Sequence, residues 1–351
     1  MKKKIKVLNT LHGKLKLPAF FPDATYGQVK SIEIKDLKKS KTQGLVVNAL
    51  HLFQRKSVPI IKKFKGIHKY IGFQKPIISD SGGFQVMSLI HKNPELGKIT
   101  EKGATFMNDD KKIELTPEKC IEIQLDIGSD IVMCLDDCTK PELTIGKQSK
   151  SVKRTIRWAK RCKIHFDKIT KNKKKKPLLF AIIQGGESRK LRKKCAEELL
   201  KLNFDGYSFG GWPVKNGKLL RGILKYTSDL IPNKYPKYAM GIGKPQDVIE
   251  CTKLGYNLFD CVIPTREARH KRLYIFHKNP KKNIKGSFSF VKINLKSKNS
   301  IKKISDFCDC ELCSKYNRKE LFEMFRENPE KAKKLSTIHN LRFYSMLMER
   351  L

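Results

Sequence analysis

Short apolar, β-prone runs recur along the chain, with longer amphipathic stretches between them. The runs are continuous rather than alternating, which is typical of strands buried on both faces of a parallel sheet. Between them, the patterns over residues 117–128 and 188–202 predict helices. The predicted strands cover residues 18–21, 44–49, 76–80, 130–136, 178–184, 207–211, 238–243 and 259–264.

Strands that alternate with helices predict an α/β fold, and eight of them predict a (β/α)8 or TIM barrel. A doubly wound parallel sheet is the alternative if the strand count is wrong. After residue 300 the pattern changes to a cysteine cluster followed by helices. We therefore predict a catalytic barrel over residues 1–275 and a zinc-binding subdomain, inserted or C-terminal, with closing helices over residues 276–351.

Polar or glycine residues end several of the predicted strands. They are Asp80, Asp136, Gln184 and the pair Gly210 and Gly211, whereas Asp260 stands at the start of the last run. Any one aspartate could be a helix N-cap. In barrels of this class, however, catalytic groups lie at the C-terminal ends of the strands. Polar residues at several strand ends therefore predict a functional site at the C-terminal opening of the barrel.

The segment at residues 79–85, Ser-Asp-Ser-Gly-Gly-Phe-Gln, adds a binding feature to one of these strand ends. Adjacent glycines let the backbone approach a planar ligand closely, and Phe84 offers a ring for stacking. By itself the segment could be an ordinary turn between a strand and a helix.

The cysteine cluster predicts a metal centre. Cys308, Cys310 and Cys313 are close in sequence, and we place His339 at the beginning of the last helix. Three thiolates and one imidazole complete a closed tetrahedral Zn²⁺ site, which is structural because no position remains for water. The alternative is free cysteines beside an unrelated histidine. The other seven of the 10 cysteines fit reduced, buried thiols.

Composition adds a possible partner. The formal charge of +41 over 351 residues favours a polyanion such as RNA, but the excess is mostly lysine and is equally consistent with compositional drift. The lysine-rich segments 171–177 and 278–286 are predicted loops, the first a solvated connection. No apolar run reaches the roughly 20 residues of a membrane span, and no secretion signal is recognised, so we expect a cytoplasmic protein.

Together these motifs resemble the tRNA-guanine transglycosylases, also called queuine tRNA-ribosyltransferases, over almost the whole chain. The family fold is a (β/α)8 barrel with an inserted zinc subdomain, and the family activity implies exchange of guanine at the wobble position of tRNA for a 7-deazaguanine in queuosine biosynthesis. The matching motifs are HGKLKLPAFFPDATYGQVK (12–30), HKYIGFQKPIISDSGGFQVMSL (68–89), KITEKGATF (98–106), LTPE (115–118), SDIVMCLDDCT (129–139), IIQGG (182–186), MGIGKP (240–245), FDCVIPTREAR (259–269) and HNL (339–341).

The resemblance implies a double displacement. Asp260 matches the family nucleophile, which captures the ribose C1′ in a covalent tRNA–enzyme intermediate, as in retaining glycosidases. Asp80 matches the general acid/base that handles the proton of the leaving and entering bases.

The resemblance also implies roles in binding. Asp136 would accept hydrogen bonds from the purine N1–H and exocyclic amine, while Gln184 and the backbone N–H of Gly211 would read its O6. Phe84 and Met240 would sandwich the flipped base. The remaining roles are a hydrogen bond from Ser81, a backbone carbonyl at Trp212 for the substituent on C7, and RNA contacts by Arg266, Arg269 and Lys244.

The chain departs from the family pattern at three places. Trp212-Pro213-Val214 replaces the usual Leu-Ala-Val, Asp23 stands where an apolar residue is usual, and His270-Lys271 replaces Asn-Gly. The first departure leaves open whether the incoming base is 7-aminomethyl-7-deazaguanine or queuine.

The expected partners are a tRNA with G at the wobble position, the 7-deazaguanine base and a second copy of the chain in a homodimer. Two alternatives stay open: a non-catalytic RNA-binding subunit of such an enzyme, and a 7-deazaguanine transglycosylase that acts on another nucleic acid.

Overall fold

The fold is built on eight parallel strands that enclose a barrel. The structure is a computed structural model that describes residues 4–108, 111–277 and 287–351. Each of the eight predicted runs overlaps one barrel strand. The barrel strands are β1 (Ala19–Pro22), β2 (Leu45–Asn48), β3 (Ile77–Asp80), β4 (Ile131–Met133), β5 (Leu178–Ile183), β6 (Gly206–Phe209), β7 (Lys237–Ala239) and β8 (Leu258–Cys261).

The strand order identifies the fold as a TIM barrel. Neighbouring strands pair in parallel in the order β1-β8-β7-β6-β5-β4-β3-β2. The ring closes between β1 and β2 through a parallel bridge of Asp23 with Val46, where the Ala24 N–H donates to the Val46 carbonyl at 2.8 Å. The barrel prediction is confirmed, and the doubly wound alternative is wrong, because an open sheet would leave β1 and β2 at opposite edges.

Helices surround the barrel and follow the predicted signals. The helix predicted over residues 117–128 begins after Thr116, whose hydroxyl accepts the Lys119 N–H at 3.2 Å, and ends at Gly128 with φ 73°. The helices are α1 (Ala49–Gln54), α2 (Ser57–Lys63), α3 (Ile67–Ile71), α4 (Gly83–Lys92), α5 (Pro117–Ile127), α6 (Ile145–Thr170), α7 (Arg189–Leu200), α8 (Arg221–Leu230), α9 (Pro245–Lys253), α10 (Ile263–Arg269), α11 (Glu311–Lys315), α12 (Arg318–Glu327) and α13 (Pro329–Met348).

Short strands and 3-10 turns lie outside the eight barrel strands. A three-stranded antiparallel sheet lies between α4 and α5, and a two-stranded ribbon follows β6. The lysine-rich connection at 171–176 is exposed as predicted, whereas the predicted loop at 278–286 lies outside the described residues. These elements are the strands Gly97–Ile99, Ala104–Asn108, Lys111–Leu115, Val214–Lys215 and Lys218–Leu219, with 3-10 turns at Ile34–Lys38, Pro94–Leu96 and Leu295–Ser297.

The C-terminal region packs on the barrel through α13. Strand Arg272–Phe276 pairs with Phe288–Lys292, so one hairpin crosses the predicted domain boundary at residues 275/276, and the position of that boundary stays a prediction. Residues 335–348 of α13 are buried. His339 lies in the middle of α13, so its predicted place at the beginning of the last helix is wrong; the helix continues back to Pro329 because Asn328 caps it.

A hairpin and one carboxylate close the N-terminal end of the barrel. The hairpin of Val7–Thr10 and Gly13–Lys16 inserts Leu8 and Leu15 into the apolar barrel interior. Beside it, Asp130 is fully buried and accepts hydrogen bonds from the backbone N–H groups of His12 and Ile77, each at 2.8 Å.

The same carboxylate also binds two imidazoles. The His12 Nδ1 and His68 Nε2 atoms each lie 3.0 Å from an oxygen of Asp130, and the two rings stack with centroids 3.4 Å apart. Burial alone would raise the pKa of Asp130, but the His68 ring and the Ile77 N–H hold that pKa below its ordinary value. Asp130 therefore connects the hairpin, β3, β4 and the segment of α3 through its ionised form.

We expect Asp130→Asn to lower the free energy of unfolding by about 2–4 kcal/mol, because buried donors lose a charged acceptor. Since the pKa of Asp130 is lowered in the folded state, this stabilisation is present above the ordinary carboxyl pKa and is lost as the pH falls through the folded pKa. Denaturant titrations at several pH values measure it. Asp126→Asn, at an exposed pair with Lys62, is the matched control, and an equal effect of both variants would contradict the assignment.

Candidate functional site

A cavity of about 450 Å³ opens at the C-terminal end of the barrel. Residues at or just after all eight strand ends line it, as expected when parallel strands converge on one mouth. Of the predicted site residues, the lining includes Asp80, Phe84, Asp136, Gln184, Gly211, Trp212, Met240 and Asp260.

Asp80 and Asp260 face this one cavity from different strands. Asp80 ends β3 and accepts a hydrogen bond from Asn48 Nδ2 at 2.9 Å. Asp260 accepts from the Tyr238 hydroxyl at 2.7 Å and from the Gly241 N–H at 2.9 Å. The predicted position of Asp260 at the start of its run is wrong: β8 begins at Leu258, so Asp260 lies near its C-terminal end, where a side chain reaches the mouth.

Burial makes both carboxyl groups weaker acids. Burial first, and the charge of Asp260 second, raise the pKa of Asp80 to about 6. Burial also raises the pKa of Asp260, although the hydrogen bonds from Tyr238 and Gly241 oppose that shift. Asp80 can therefore exchange a proton near neutral pH, while Asp260 has two donors that fix its orientation.

A second pair, Asp136 and Gln184, forms the floor of the cavity. Both side chains are buried, and Gln184 Nε2 donates to Asp136 Oδ2 at 2.6 Å. Burial, reinforced by the charge of Asp80, raises the pKa of Asp136 to about 7. Gly210 permits this arrangement, because a Cβ at that position would lie 2.6 Å from Gln184 Nε2.

Aromatic and thioether side chains form the walls. Phe84 lies in the first turn of α4 and Trp212 follows β6; their rings meet edge to face with centroids 5.3 Å apart. Both are about two-fifths exposed, at 42% and 41%. With Met240 they leave a slot in which a planar ligand can stack and donate hydrogen bonds to Asp136.

Four predicted residues do not line the cavity. Ser81 is buried, and its Oγ accepts the Gly83 N–H at 3.2 Å at the start of α4. Arg266 and Arg269 lie on α10, directly after β8, and Lys244 precedes α9 with an exposed side chain. The three basic residues follow β7 and β8, so they lie at the same end of the barrel as the cavity.

Several lining residues were missed by the sequence analysis. Asn48 ends β2 as Asp80 ends β3, so the rule of polar strand ends could have found it. Asp23 was noted only as a departure from the family pattern, yet it lines the cavity. Tyr238 lies within an apolar run and gives no signal, because only the fold shows that its hydroxyl meets Asp260.

The predicted metal ligands come together in one cluster. The ligand atoms of Cys308, Cys310, Cys313 and His339 all lie within 4.8 Å of one another. His339 Nδ1 lies 3.4 Å from the Cys310 sulfur and 3.2 Å from the Cys313 sulfur. Ordinary zinc bond lengths in a tetrahedron place N and S ligands roughly 3.5 Å apart, so the residues fit the ion.

The other nitrogen of His339 supports this assignment. Nε2 lies 2.8 Å from the Tyr274 carbonyl oxygen, which can only accept, so Nε2 carries the proton. In the neutral ring Nδ1 is then unprotonated, and it faces the sulfurs, as a metal ligand requires. An ion pair of Asp309 with Arg342, at 2.5 Å, ties the same loop to α13.

Comparisons with known proteins point to one family. A family model described as Queuine tRNA-ribosyltransferase matches residues 1–351. A queuine tRNA-ribosyltransferase of Blochmanniella floridana is 42% identical over 342 residues, which cover 96% of this chain and 86% of the relative. Proteins of the same name from Mannheimia succiniciproducens and Buchnera aphidicola are each 39% identical over 338 residues, or 95% of this chain and 84% and 87% of the relatives.

Among the described residues, no helix is both long and apolar enough to cross a bilayer.

We expect Asp136→Asn to stabilise the free protein at neutral and alkaline pH. Because the pKa of Asp136 is raised to about 7, the folded state holds its proton more tightly than the unfolded state, and stability is lost as the pH rises from about 4 to 7. The variant cannot ionise, so its gain should grow over that interval to about 1 kcal/mol or more. Thermal unfolding at several pH values measures it, and a gain that did not depend on pH would contradict the shift.

Proposed function

The chain belongs to the queuine tRNA-ribosyltransferase family and is an enzyme of that family, and we propose that its cavity exchanges a guanine at the wobble position of tRNA for a 7-deazaguanine. The observation that carries the proposal is the meeting of Asp80, Asp136 and Asp260 in one cavity. A non-catalytic RNA-binding subunit would have no use for three carboxyl groups with raised pKa values in one cavity.

Base recognition follows from the floor and walls of the cavity. A guanine extruded from the anticodon loop stacks between Phe84 and Met240. The Asp136 carboxylate accepts from N1–H and from the exocyclic amine, while Gln184 and the Gly211 N–H donate to O6. Gln184 Nε2 has two hydrogens, so it can donate to Asp136 and to O6 at the same time.

The exchange proceeds by two displacements at C1′ of the ribose. An oxygen of Asp260 forms a bond to C1′ as the bond from C1′ to N9 of guanine breaks, and N9 keeps the electron pair. Protonated Asp80 supplies a proton to the departing base. The result is an ester-like covalent link between Asp260 and the tRNA, with inverted configuration at C1′.

The second displacement reverses these steps with the new base. Asp80, now ionised, removes the proton from N9 of the 7-deazaguanine, and N9 attacks C1′ as the bond to Asp260 breaks. Two inversions restore the original configuration. A pKa of about 6 lets Asp80 serve as acid and then as base near neutral pH.

We assign 7-aminomethyl-7-deazaguanine as the incoming base. Trp212, Pro213 and Val214 line the cavity after β6. The peptide bond between Trp212 and Pro213 has no N–H, so its only polar group is the Trp212 carbonyl, an acceptor. An aminomethyl cation on C7 donates to such a carbonyl. Queuine carries the same amine with an added ring, so it is the bulk of Trp212 and Pro213 in the cavity lining that favours the smaller aminomethyl base.

The RNA is held outside the cavity by basic residues. Arg266, Arg269 and Lys244 follow β7 and β8, where they can contact anticodon-loop phosphates next to the flipped nucleotide. We also propose a homodimer, in which the second subunit orients the tRNA.

The covalent intermediate gives the central test. Asp260→Ala should abolish the denaturation-resistant tRNA–enzyme adduct and lower the exchange of labelled guanine by at least about a thousandfold, because the carboxylate proposed to capture C1′ is removed. Gel analysis of the adduct and filter assays of exchange measure both. Asp229→Asn, at an exposed pair with Lys225, should keep wild-type activity.

An Asp260→Ala variant that still exchanges guanine would show that another group is the nucleophile. Replacing the tRNA by duplex DNA in the same assay should give no exchange, and exchange there would instead identify a DNA transglycosylase.

We propose that the ion in the Cys308, Cys310, Cys313 and His339 cluster is Zn²⁺, one per chain. Bound there it has no open coordination position, so it supplies structural cross-linking of α13 to the cysteine loop and takes no part in the exchange.

Cys310→Ser should therefore lose zinc and lower the melting temperature, because the closed site contributes directly to folding. Metal analysis and thermal unfolding measure the two effects together. Cys251→Ser, at a buried thiol outside the cluster, should keep its zinc. Loss of turnover in Cys310→Ser with normal zinc content and normal melting temperature would overturn the structural role.

A further inference from the structure

Arg192, in the first part of α7, is a buried cation next to the cavity. It has no role in the exchange steps proposed above. Its side chain is only 1% exposed, and its guanidinium lies 3.9 Å from the ring centroid of Phe209. Burial lowers the pKa of Arg192 to about 10, and no carboxylate among the described residues pairs with it. Buried arginines normally have such a partner, so this one calls for another explanation.

Backbone carbonyls take the place of the missing carboxylate. Nε of Arg192 donates to the Gly186 oxygen at 2.9 Å, Nη1 to the Ile183 oxygen at 2.5 Å, and Nη2 to the Gly210 oxygen at 2.9 Å. Ile183 ends β5, and Gly210 directly follows β6. One side chain therefore joins the ends of two neighbouring barrel strands.

The bonded carbonyls flank the two groups assigned to the purine O6. Ile183 directly precedes Gln184, and Gly210 directly precedes Gly211, and both Gln184 and Gly211 line the cavity. The positive φ of Gly211, 88°, is a conformation that residues with a Cβ rarely adopt, so the direction of this peptide depends on specific contacts.

The geometry of the peptide bond connects Arg192 with the ligand. In a trans peptide the C=O and N–H groups point in opposite directions, and the Gly210–Gly211 peptide is trans. Because Nη2 holds the Gly210 carbonyl on its own side, the Gly211 N–H is directed away from Arg192. Arg192 thus controls the direction of a donor that it does not touch.

We propose that Arg192 is a positioning residue, whose guanidinium orients the Gly210–Gly211 peptide so that the Gly211 N–H donates to the 6-oxo group of the bound purine. The assignment rests on the proposed function, because it takes guanine as the ligand. It differs from a purely structural role in one respect: its loss should weaken recognition of the atom at position 6 more than binding of the rest of the base.

The test compares two bases that differ at position 6, namely guanine and 6-thioguanine, whose sulfur is a weaker acceptor. Binding isotherms of the full-length protein give a dissociation constant for each. Wild type should prefer guanine, because both Gln184 and the Gly211 N–H donate to its O6. In Arg192→Met that preference should fall by about fivefold to tenfold, the value of one neutral hydrogen bond, because the Gly211 N–H is no longer held toward the ligand while Gln184 still donates.

A matched control separates positioning from general damage to the barrel. Lys237 is also buried, at 4% exposure, and Nζ donates to the Ser228 carbonyl oxygen at 2.6 Å, but it lies at the start of β7, at the opposite end of the barrel. Lys237→Met removes a buried cation and should keep the wild-type preference for guanine, whatever its melting temperature.

The remaining outcomes are distinguishable. If wild type binds neither base, the proposed function fails. If wild type prefers guanine and Arg192→Met keeps that preference, the positioning role is overturned while the proposed function stands. If Arg192→Met does not fold, Arg192→Lys gives the test, because it keeps the positive charge but lacks the planar guanidinium group. Its preference for guanine over 6-thioguanine should be smaller than that of wild type, and an unchanged preference would overturn the proposal.

Discussion

The central constraint in this structure is the burial of several carboxyl groups with one another at one end of a barrel. Burial raises the pKa values of Asp80, Asp136 and Asp260, so the arrangement opposes folding. The charge of Asp260 adds to the shift of Asp80, and the charge of Asp80 adds to the shift of Asp136. It persists because the groups sit at strand ends that a large apolar core holds in place. The opposite end of the barrel shows the contrast: Asp130 is fully buried, but two imidazoles and two backbone N–H groups accompany it, and its pKa is lowered.

The metal cluster is connected to the cavity through α13. His339 lies in the cluster, and the next residue, Asn340, donates from Nδ2 to the Pro264 carbonyl oxygen at 3.0 Å, at the start of α10. Farther along the helix, the Tyr344 hydroxyl donates to the Gly243 carbonyl oxygen, in the segment that follows Met240. The segments after β7 and β8 are therefore both fastened to α13, so a metal ion bound at the cluster would stabilise the strand ends that carry Met240 and Asp260.

Prediction from sequence succeeded where the signal is local. All eight strand runs were found because strands buried on both faces need continuous apolar residues. The cysteine cluster was predicted because three of its residues lie within six positions, a spacing that few other sites need, and the structure brings them together with His339. The errors, His339 placed at a helix start and Asp260 at a strand start, concern element boundaries, where propensity is weakest.

The sequence by itself determined the eight strand runs and the residue types available at their ends, because these follow from periodicity and from residues adjacent in the chain. The choice between a barrel and a doubly wound sheet depended on the observed pairing, which closes the ring between β1 and β2. Only the tertiary structure decided which groups meet across the barrel: Tyr238 with Asp260, Gln184 with Asp136, and Arg192 with the carbonyl of Gly210. Those contacts join residues on different strands and helices, and the direction of a side chain or a peptide depends on the packing around it. The pKa values depend on the same packing, since burial is a property of the assembled fold.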